Sequence, residues 1–346
     1  MAQLKHPESA KAVRVMNLDP SHALHKMSVT LLQLARLPGA RPPGARPPDA
    51  RLTDAILSGS KKQGVLIRDL AGLPASLGFV GSLELRLAQT KKDIRKAQRL
   101  RYKVFYEEGP ARADARMSLT RRDICPYDRY CDHLMVIDHA HRNTLGQIKP
   151  KIVGTYRLLR DDCLPKNLPF YSAQEFEIEP LLERHKEKRF LELGRSCVLP
   201  DYRSKRTIEL LWRGIWTYVK HHRIDVMMGC ASFGTINPQT IAAPLAFLQQ
   251  QAQAHNDWHV RARSQRYIPM LRTANKVDPV SPVPARQALL SMPPLIKAYM
   301  RLGARFGEGA VIDHQFGTID VFVITCIKDI DPRYIEHFGG PQTYAA

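Results

Sequence analysis

Two charged residues, Glu192 and Arg195, interrupt the apolar stretch FLELGRSCVLP. Residues three apart on an ideal strand point to opposite faces, but a bulge at Gly194 would bring them together. The apolar neighbours favour a functional pair; the bland alternative is a charge pair facing solvent. A second group, Tyr127, Asp128, Asp132 and His133, lies just before and inside a strand. Its carboxylates could hold a cation or take a proton from an amine, or serve only as turn formers. Arg101 and Phe105 fall one helical turn apart. Arg157 breaks the apolar run IVGTYRLL. A buried arginine needs an acidic partner, and Glu192 is the expected one. Beyond Glu192 the chain bends through Arg203, Ser204, Lys205, Arg206 and Thr207 into a helix. The first N–H groups of a helix lack intrahelical acceptors, so this basic bend suits an anion, although many such bends bind nothing.

These side chains need rigid supports. Ile208, Leu211, Trp212, Ile215, Trp216 and Val219 recur at i, i+3, i+4, i+7, i+8 and i+11, an amphipathic helix with Ser204 or Thr207 as its cap. Leu191, Leu193 and Cys197 to Leu199 make the strand before it, and Pro200 stops that strand. Upstream, LELRLAQ alternates as a strand, KKDIRKAQRLRYKVFYEEG repeats as a helix, and CDHLMVIDH and KIVGTYRLLR are two strands expected to pair antiparallel. Downstream come the apolar strand DVMMGCASF, a helix in NPQTIAAPLAFLQQQAQ with Pro244 as a possible kink, a helix over PPLIKAYMRLGARFG, and the strand GTIDVFVITCI. Meander strands followed by strand–helix units predict an α/β (α+β) domain with a mixed sheet. Its expected span is residues 81–332, after a basic, proline-rich and largely disordered lead-in over 1–80 and before a polar tail over 333–346.

Of the 346 residues, 44% are hydrophobic, enough for a sizeable core. The net charge of +19 draws acidic partners: nucleic acid, anionic lipid or an acidic protein. Basic and aromatic residues do not interleave as in single-strand platforms, so no nucleic acid is expected. The six cysteines form no CxxC pair, and no apolar run is long enough for a membrane span. A reduced, cytoplasmic protein is the simpler expectation, with any membrane contact peripheral. The run His221-His222-Arg223 reads as a helix-end charge cluster, and no metal site is expected. Glycine-rich nucleotide loops and a spaced Ser-His-Asp triad are absent from the sequence.

Taken together, Arg101 and Phe105, Asp128 and Asp132, Arg157, and the Glu192/Arg195 pair resemble the pattern of acyl-homoserine-lactone synthases, which belong to the GNAT superfamily of N-acyltransferases. LELGRSCVLPDYR with its helix, and PPLIKAYMRLGARFGEGAVIDHQFGTIDVFVI, resemble more fully the ornithine–acyl-carrier-protein N-acyltransferases of bacterial ornithine-lipid synthesis. The resemblance covers about Leu83 to Ile330. It implies a GNAT-like fold, a mostly antiparallel, splayed sheet flanked by helices. It also implies transfer of a 3-hydroxyacyl chain from acyl carrier protein to the α-amine of L-ornithine. The implied roles are Glu192 as base or organiser of a water, Asp128 and Asp132 on the cationic acceptor, and Arg157 and Arg195 setting the geometry. Arg101 and Phe105 would position substrate, and backbone at Val198 and Leu199 would hold the oxyanion. The bend Arg203 to Thr207 would grip the phosphate of the acyl-phosphopantetheine, the donor substrate; no permanent cofactor is implied. RSKRTIEL has no glycine where the superfamily carries a glycine-rich pyrophosphate loop, which suits the single phosphodiester of a carrier protein better than coenzyme A. A signal synthase acting on S-adenosylmethionine, and a non-catalytic basic protein on this fold, are the competing readings.

Overall fold

The computed structural model describes residues 70–270 and 285–339. The lead-in expected over residues 1–80 therefore lies, up to residue 69, outside the described residues, as does the end of the tail. The part that is described already holds a strand, β1 (Ser76–Val80), ahead of the expected domain start at residue 81. The tail is partly helical, as α8 (Pro332–Gly339).

The remaining strands are β2 (Leu83–Leu87), β3 (Asp132–Asp138), β4 (Lys151–Arg160), β5 (Phe190–Val198), β6 (Val226–Phe233), β7 (Tyr267–Ile268), β8 (Arg305–Asp313) and β9 (Thr318–Cys326). One nine-stranded sheet joins them in the order β1-β2-β3-β4-β5-β6-β9-β8-β7. Every pairing is antiparallel except β5 with β6. The expected mixed, mostly antiparallel sheet is what the chain forms. Among the described residues, no helix is long and apolar enough to cross a membrane.

The helices are α1 (Lys91–Tyr102), α2 (Ala115–Thr120), α3 (Glu179–Arg184), α4 (Lys205–His222), α5 (Ala242–Gln251), α6 (Ala285–Ser291) and α7 (Pro294–Arg301). Ser204 caps α4, and the buried stripe of Leu211, Trp212, Ile215, Trp216 and Val219 packs over β1 to β4. Pro244 sits in the first turn of α5, where its missing N–H costs nothing, so it produces no break. The helix expected over PPLIKAYMRLGARFG is shorter: α7 stops at Arg301, and Gly303 takes φ +84° just past it. The residues RFGEGAVID that follow are strand β8. The pleat of β6 feeds two apolar cores: Val226 and Met228 belong to one, Met227, Ala231 and Phe233 to the other.

Two departures from regular pairing shape the middle of the sheet. Between Thr155↔Cys197 and Arg157↔Gly194, β4 advances two residues and β5 three, so β5 carries a bulge. Arg195, inside that bulge, has φ +52°, a strained conformation for a non-glycine residue. β5 pairs with β6 only through Phe190, Leu191 and Glu192, and past that point the two strands part. Gly229 lies against β5 where they part: a Cβ there would run into the Leu193 carbonyl oxygen. Gly229→Ala is expected to destabilise the protein by about 2–3 kcal/mol, because backbone cannot move aside as a side chain can. A urea melt with an unchanged midpoint would refute that.

Candidate active site

The gap between β5 and β6 opens into a cleft of about 310 Å³. Glu192, Arg195, Ser172, Arg157 and Phe105 line it. A second, apolar pocket of about 270 Å³ runs along the other half of β5 to the start of α4, lined by Cys197, Val198, Arg203, Ile208 and Trp212 among others. The two share Val104, Phe105, Tyr156, Ser196 and Leu295 as walls, so a polar chamber adjoins an apolar one along the bulged strand.

Glu192 is buried and borders the cleft. Its carboxylate accepts from the Tyr171 N–H at 2.8 Å, the Ser172 N–H at 2.7 Å and the Ser172 hydroxyl at 2.5 Å. These donors belong to a 3-10 turn (Tyr171–Gln174) whose first N–H groups have no partner of their own. Glu192 thus anchors that turn, and the Ser172 Oγ it holds lies on the cleft wall. The sequence reading passed over Ser172: a serine in a loop carries no local signal. Arg157 does not pair with Glu192, contrary to expectation. Its Nη1 lies 3.6 Å from Asp128 Oδ1, and its guanidinium sits over the rings of Tyr127 and Tyr171.

Arg195 does come to the cleft, as the expected bulge requires. Its guanidinium lies between the rings of Tyr171 and Phe316, 4.8 and 4.4 Å from their centroids. Nη2 donates to the Tyr171 hydroxyl at 3.3 Å, and Nε is 3.4 Å from Asp123 Oδ2. Phe105 packs edge-on against Phe316 and separates the two chambers. It sits in a π-helical turn (Lys103–Glu107) that continues α1, an irregularity frequent at functional sites.

Arg101 belongs to the framework instead of the cleft. It is fully buried, and its guanidinium donates to Asp123 Oδ2, the Asp123 carbonyl and Asp128 Oδ2, each at 2.7 Å. Burial alone would raise the Asp128 pKa, but Arg101, His133 and Arg157 together hold this carboxyl far below the usual carboxylate range. Gln98 also donates to Asp128, which borders a separate groove with Lys91, Arg95 and Met117 and does not line the cleft. Asp132 is further removed. It starts β3 and accepts from the Tyr218 hydroxyl of α4 at 2.6 Å. The two aspartates expected to share a cation therefore serve different parts of the framework: Asp128 ends in a turn, Asp132 in a strand, and the chain redirects them.

The bend before α4 is basic and open to the apolar pocket through Arg203 and Ile208. Arg203 Nε donates to the Val198 carbonyl at 3.0 Å. Ser204 Oγ accepts from the Thr207 N–H and is spent as the cap; Thr207 itself is buried. Lys205 reaches Glu209 at 3.6 Å and Arg206 is exposed. The amides of Lys205 and Arg206 begin the helix, where no intrahelical acceptor exists. Leu199 is ruled out as an oxyanion donor, since its N–H goes to the Val153 carbonyl at 2.9 Å. Alternation along the strand turns the neighbouring Val198 amide the other way, across the gap.

The far end of the cleft holds residues that the sequence reading missed. Asp313 and Asp320 line it, and Glu175 stands beside them, with carboxylate oxygens of all three within 4.8 Å of one another. Burial, reinforced by the neighbouring acids, holds Glu175 and Asp320 above the ordinary carboxylate range. An acid inside the apolar strand TIDVFVITC was the one signal available.

Residues 100–213 match the family described as Acetyltransferase (GNAT) domain. The chain is 48% identical over 263 residues to the L-ornithine N(alpha)-acyltransferase of Agrobacterium fabrum, covering 76% of this chain and 87% of that protein. It is 46% identical over 275 residues to the protein of the same name from Rhizobium meliloti, covering 79% and 90%. A solved structure of the CoA-dependent acyl-homoserine lactone synthase MesI aligns at 15% identity over 72% of this chain and 86% of that one, with a TM-score of 0.35, a likeness too slight to argue from.

Proposed function

The chain belongs to the L-ornithine N(alpha)-acyltransferase family, and from that premise we propose that it moves a 3-hydroxyacyl chain from acyl carrier protein to the α-amine of L-ornithine. The observation that carries the reading is the adjoining pair of chambers along β5, with Glu192 and Ser172 on the polar one. An amine nucleophile belongs in the polar cleft and an acyl-pantetheine arm in the apolar pocket.

The amine must be neutral to attack the thioester carbonyl. Glu192 already accepts from three donors, so it receives the proton through Ser172: the hydroxyl takes a proton from the amine as it gives its own to the carboxylate. The Val198 amide faces the gap and holds the developing oxyanion. The C–S bond breaks and the carrier's prosthetic arm leaves as a thiolate, which takes up the proton that Ser172 and Glu192 removed from the amine. Arg195, its ring sandwich fixing the guanidinium plane, takes the α-carboxylate of the amino acid. Arg203, Lys205, Arg206 and the two amides at the start of α4 hold the phosphodiester. The +19 charge supports an acidic carrier, and it also supports peripheral contact with an anionic membrane surface in the cytoplasm.

The test is direct. The purified protein is given 3-hydroxyacyl carrier protein with L-ornithine, and separately with S-adenosylmethionine, and the products are weighed by mass spectrometry. N-acylated ornithine is expected. Acylation of S-adenosylmethionine alone, or ornithine acylated from coenzyme A as readily as from the carrier, would each refute part of this reading.

A further inference from the structure

We propose that Glu175, Asp313 and Asp320 form a cation pocket that receives the side-chain ammonium of the acceptor amino acid. The inference rests on the acyl-transfer reading above and adds the feature that would select an amino acid with a second amine.

The three carboxylates come from separate segments. Glu175 closes the turn that carries Ser172, Asp313 ends β8, and Asp320 lies on β9 opposite Ser232 of β6. Glu175 and Asp320 are 3% and 7% exposed, so both meet the cost of a buried charge. Asp320 Oδ1 and Glu175 Oε2 have no hydrogen-bond partner among the described residues. Asp320 lines the same cleft as Ser172 and Arg195, so one of the two buried carboxyl groups borders the chamber where the acceptor is expected.

The charges of Arg266 on Glu175 and of Arg195 on Asp320 offset the cluster only in part, and both acids stay above the ordinary range. Arg266 approaches Glu175 Oε1 only to 3.8 Å, from an exposed position. Arg195 Nε is directed at Asp123. Ser232, Thr318 and Cys230 bring no positive charge. Asp313 is partly used, since it accepts from the Gln315 and Phe316 amides. An ammonium brings three donors and one positive charge, which matches two starved carboxylates and a third close by. With the α-carboxylate at Arg195 and the α-nitrogen at Ser172, the side chain of the acceptor points to this end of the cleft.

The experiment compares kcat/KM for L-ornithine and L-norvaline, the same carbon chain without its terminal nitrogen, using the full chain and the carrier-bound donor. Wild type, Glu175→Gln and Asp320→Asn are measured. Wild type is expected to prefer ornithine, and each substitution to cut that preference roughly 100-fold, mainly through the KM for ornithine. The preference of wild type is also expected to grow from about pH 6 to about pH 8, as the two raised carboxylates ionise, and this growth to flatten in the variants. Loss of a buried, unpartnered charge should leave Asp320→Asn melting no lower than wild type in the absence of substrate. If a variant does not fold, calorimetric binding of the two amino acids to wild type at the two pH values decides, and equal affinities overturn the pocket. If wild type acylates ornithine but its preference survives both substitutions, the pocket is wrong and the acyl-transfer reading stands. If wild type acylates no amino acid, the underlying reading fails. If chelator abolishes the preference and a divalent cation restores it, the carboxylates hold a metal ion and the proposal is overturned.

Discussion

Replacing Glu192 by glutamine is expected to lower kcat by about 1000-fold with little change in the KM for either substrate. Two effects act in the same direction. The amide cannot receive the proton that Ser172 passes on. It also has only one accepting oxygen, where the carboxylate meets three donors from Tyr171 and Ser172. Ser172→Ala keeps the charge but removes the relay, and about 100-fold of kcat should go with it. Because the two residues act as one unit, the double variant should be little worse than Glu192→Gln alone. Fully additive losses would mean that the serine and the carboxylate work independently. The readout that separates chemistry from support is the melting temperature. Loss of a proton acceptor lowers kcat in a protein that melts as the wild type does, whereas loss of an anchor for the Tyr171–Gln174 turn lowers the melting temperature. A Glu192→Gln enzyme with full turnover would end the relay.

The second large effect concerns stability. Arg101→Leu is expected to cost about 3–5 kcal/mol, because it leaves the buried carboxylates of Asp123 and Asp128 without their shared counter-ion. The change should also weaken the pH dependence. In the wild type, Asp128 has a folded-state pKa well below its unfolded value. Its contribution is therefore present above about pH 4 and is lost as the pH falls below that. Without Arg101 the effect of burial is opposed less, and the Asp128 pKa moves up. His133 and Arg157 still oppose burial, so the folded-state pKa rises toward the unfolded value, and the variant should lose less stability than the wild type as the pH falls below about 4. Urea melts of both proteins across that range test this. Parallel pH profiles, or a loss below about 1 kcal/mol, would show that Arg101 is dispensable to the buried network. Since Asp123 also faces Arg195, the variant should bind the amino-acid acceptor less well than its residual fold alone would explain.

That Glu192 and Arg195 would border one cleft was legible, because both sit in one strand and the glycine between them marked where a bulge could fall, but each takes partners elsewhere, Glu192 from Tyr171 and Ser172 and Arg195 from Tyr171 and Asp123. Asp128 and Asp132 were misread together for the opposite reason. Their closeness in sequence suggested a shared task, but one lies in the Pro126–Arg129 turn and the other opens β3. Arg157 is buried, the case in which an acidic partner was expected, and that acid was wrongly chosen. An arginine in an apolar strand announces a need for negative charge without saying which of several carboxylates meets it.

Periodicity, the Ser204 cap and the apolar runs were enough to fix helix α4, the strands on either side of it and the mixed character of the sheet, because each depends on contacts between residues near one another along the chain. The sharing of Arg101 between two aspartates, the anchoring of a turn by Glu192, and the gathering of Glu175, Asp313 and Asp320 depend on strand order and on where β5 and β6 part. Those distances are set by how distant segments pack, and a charge in a linear chain carries no address for its partner.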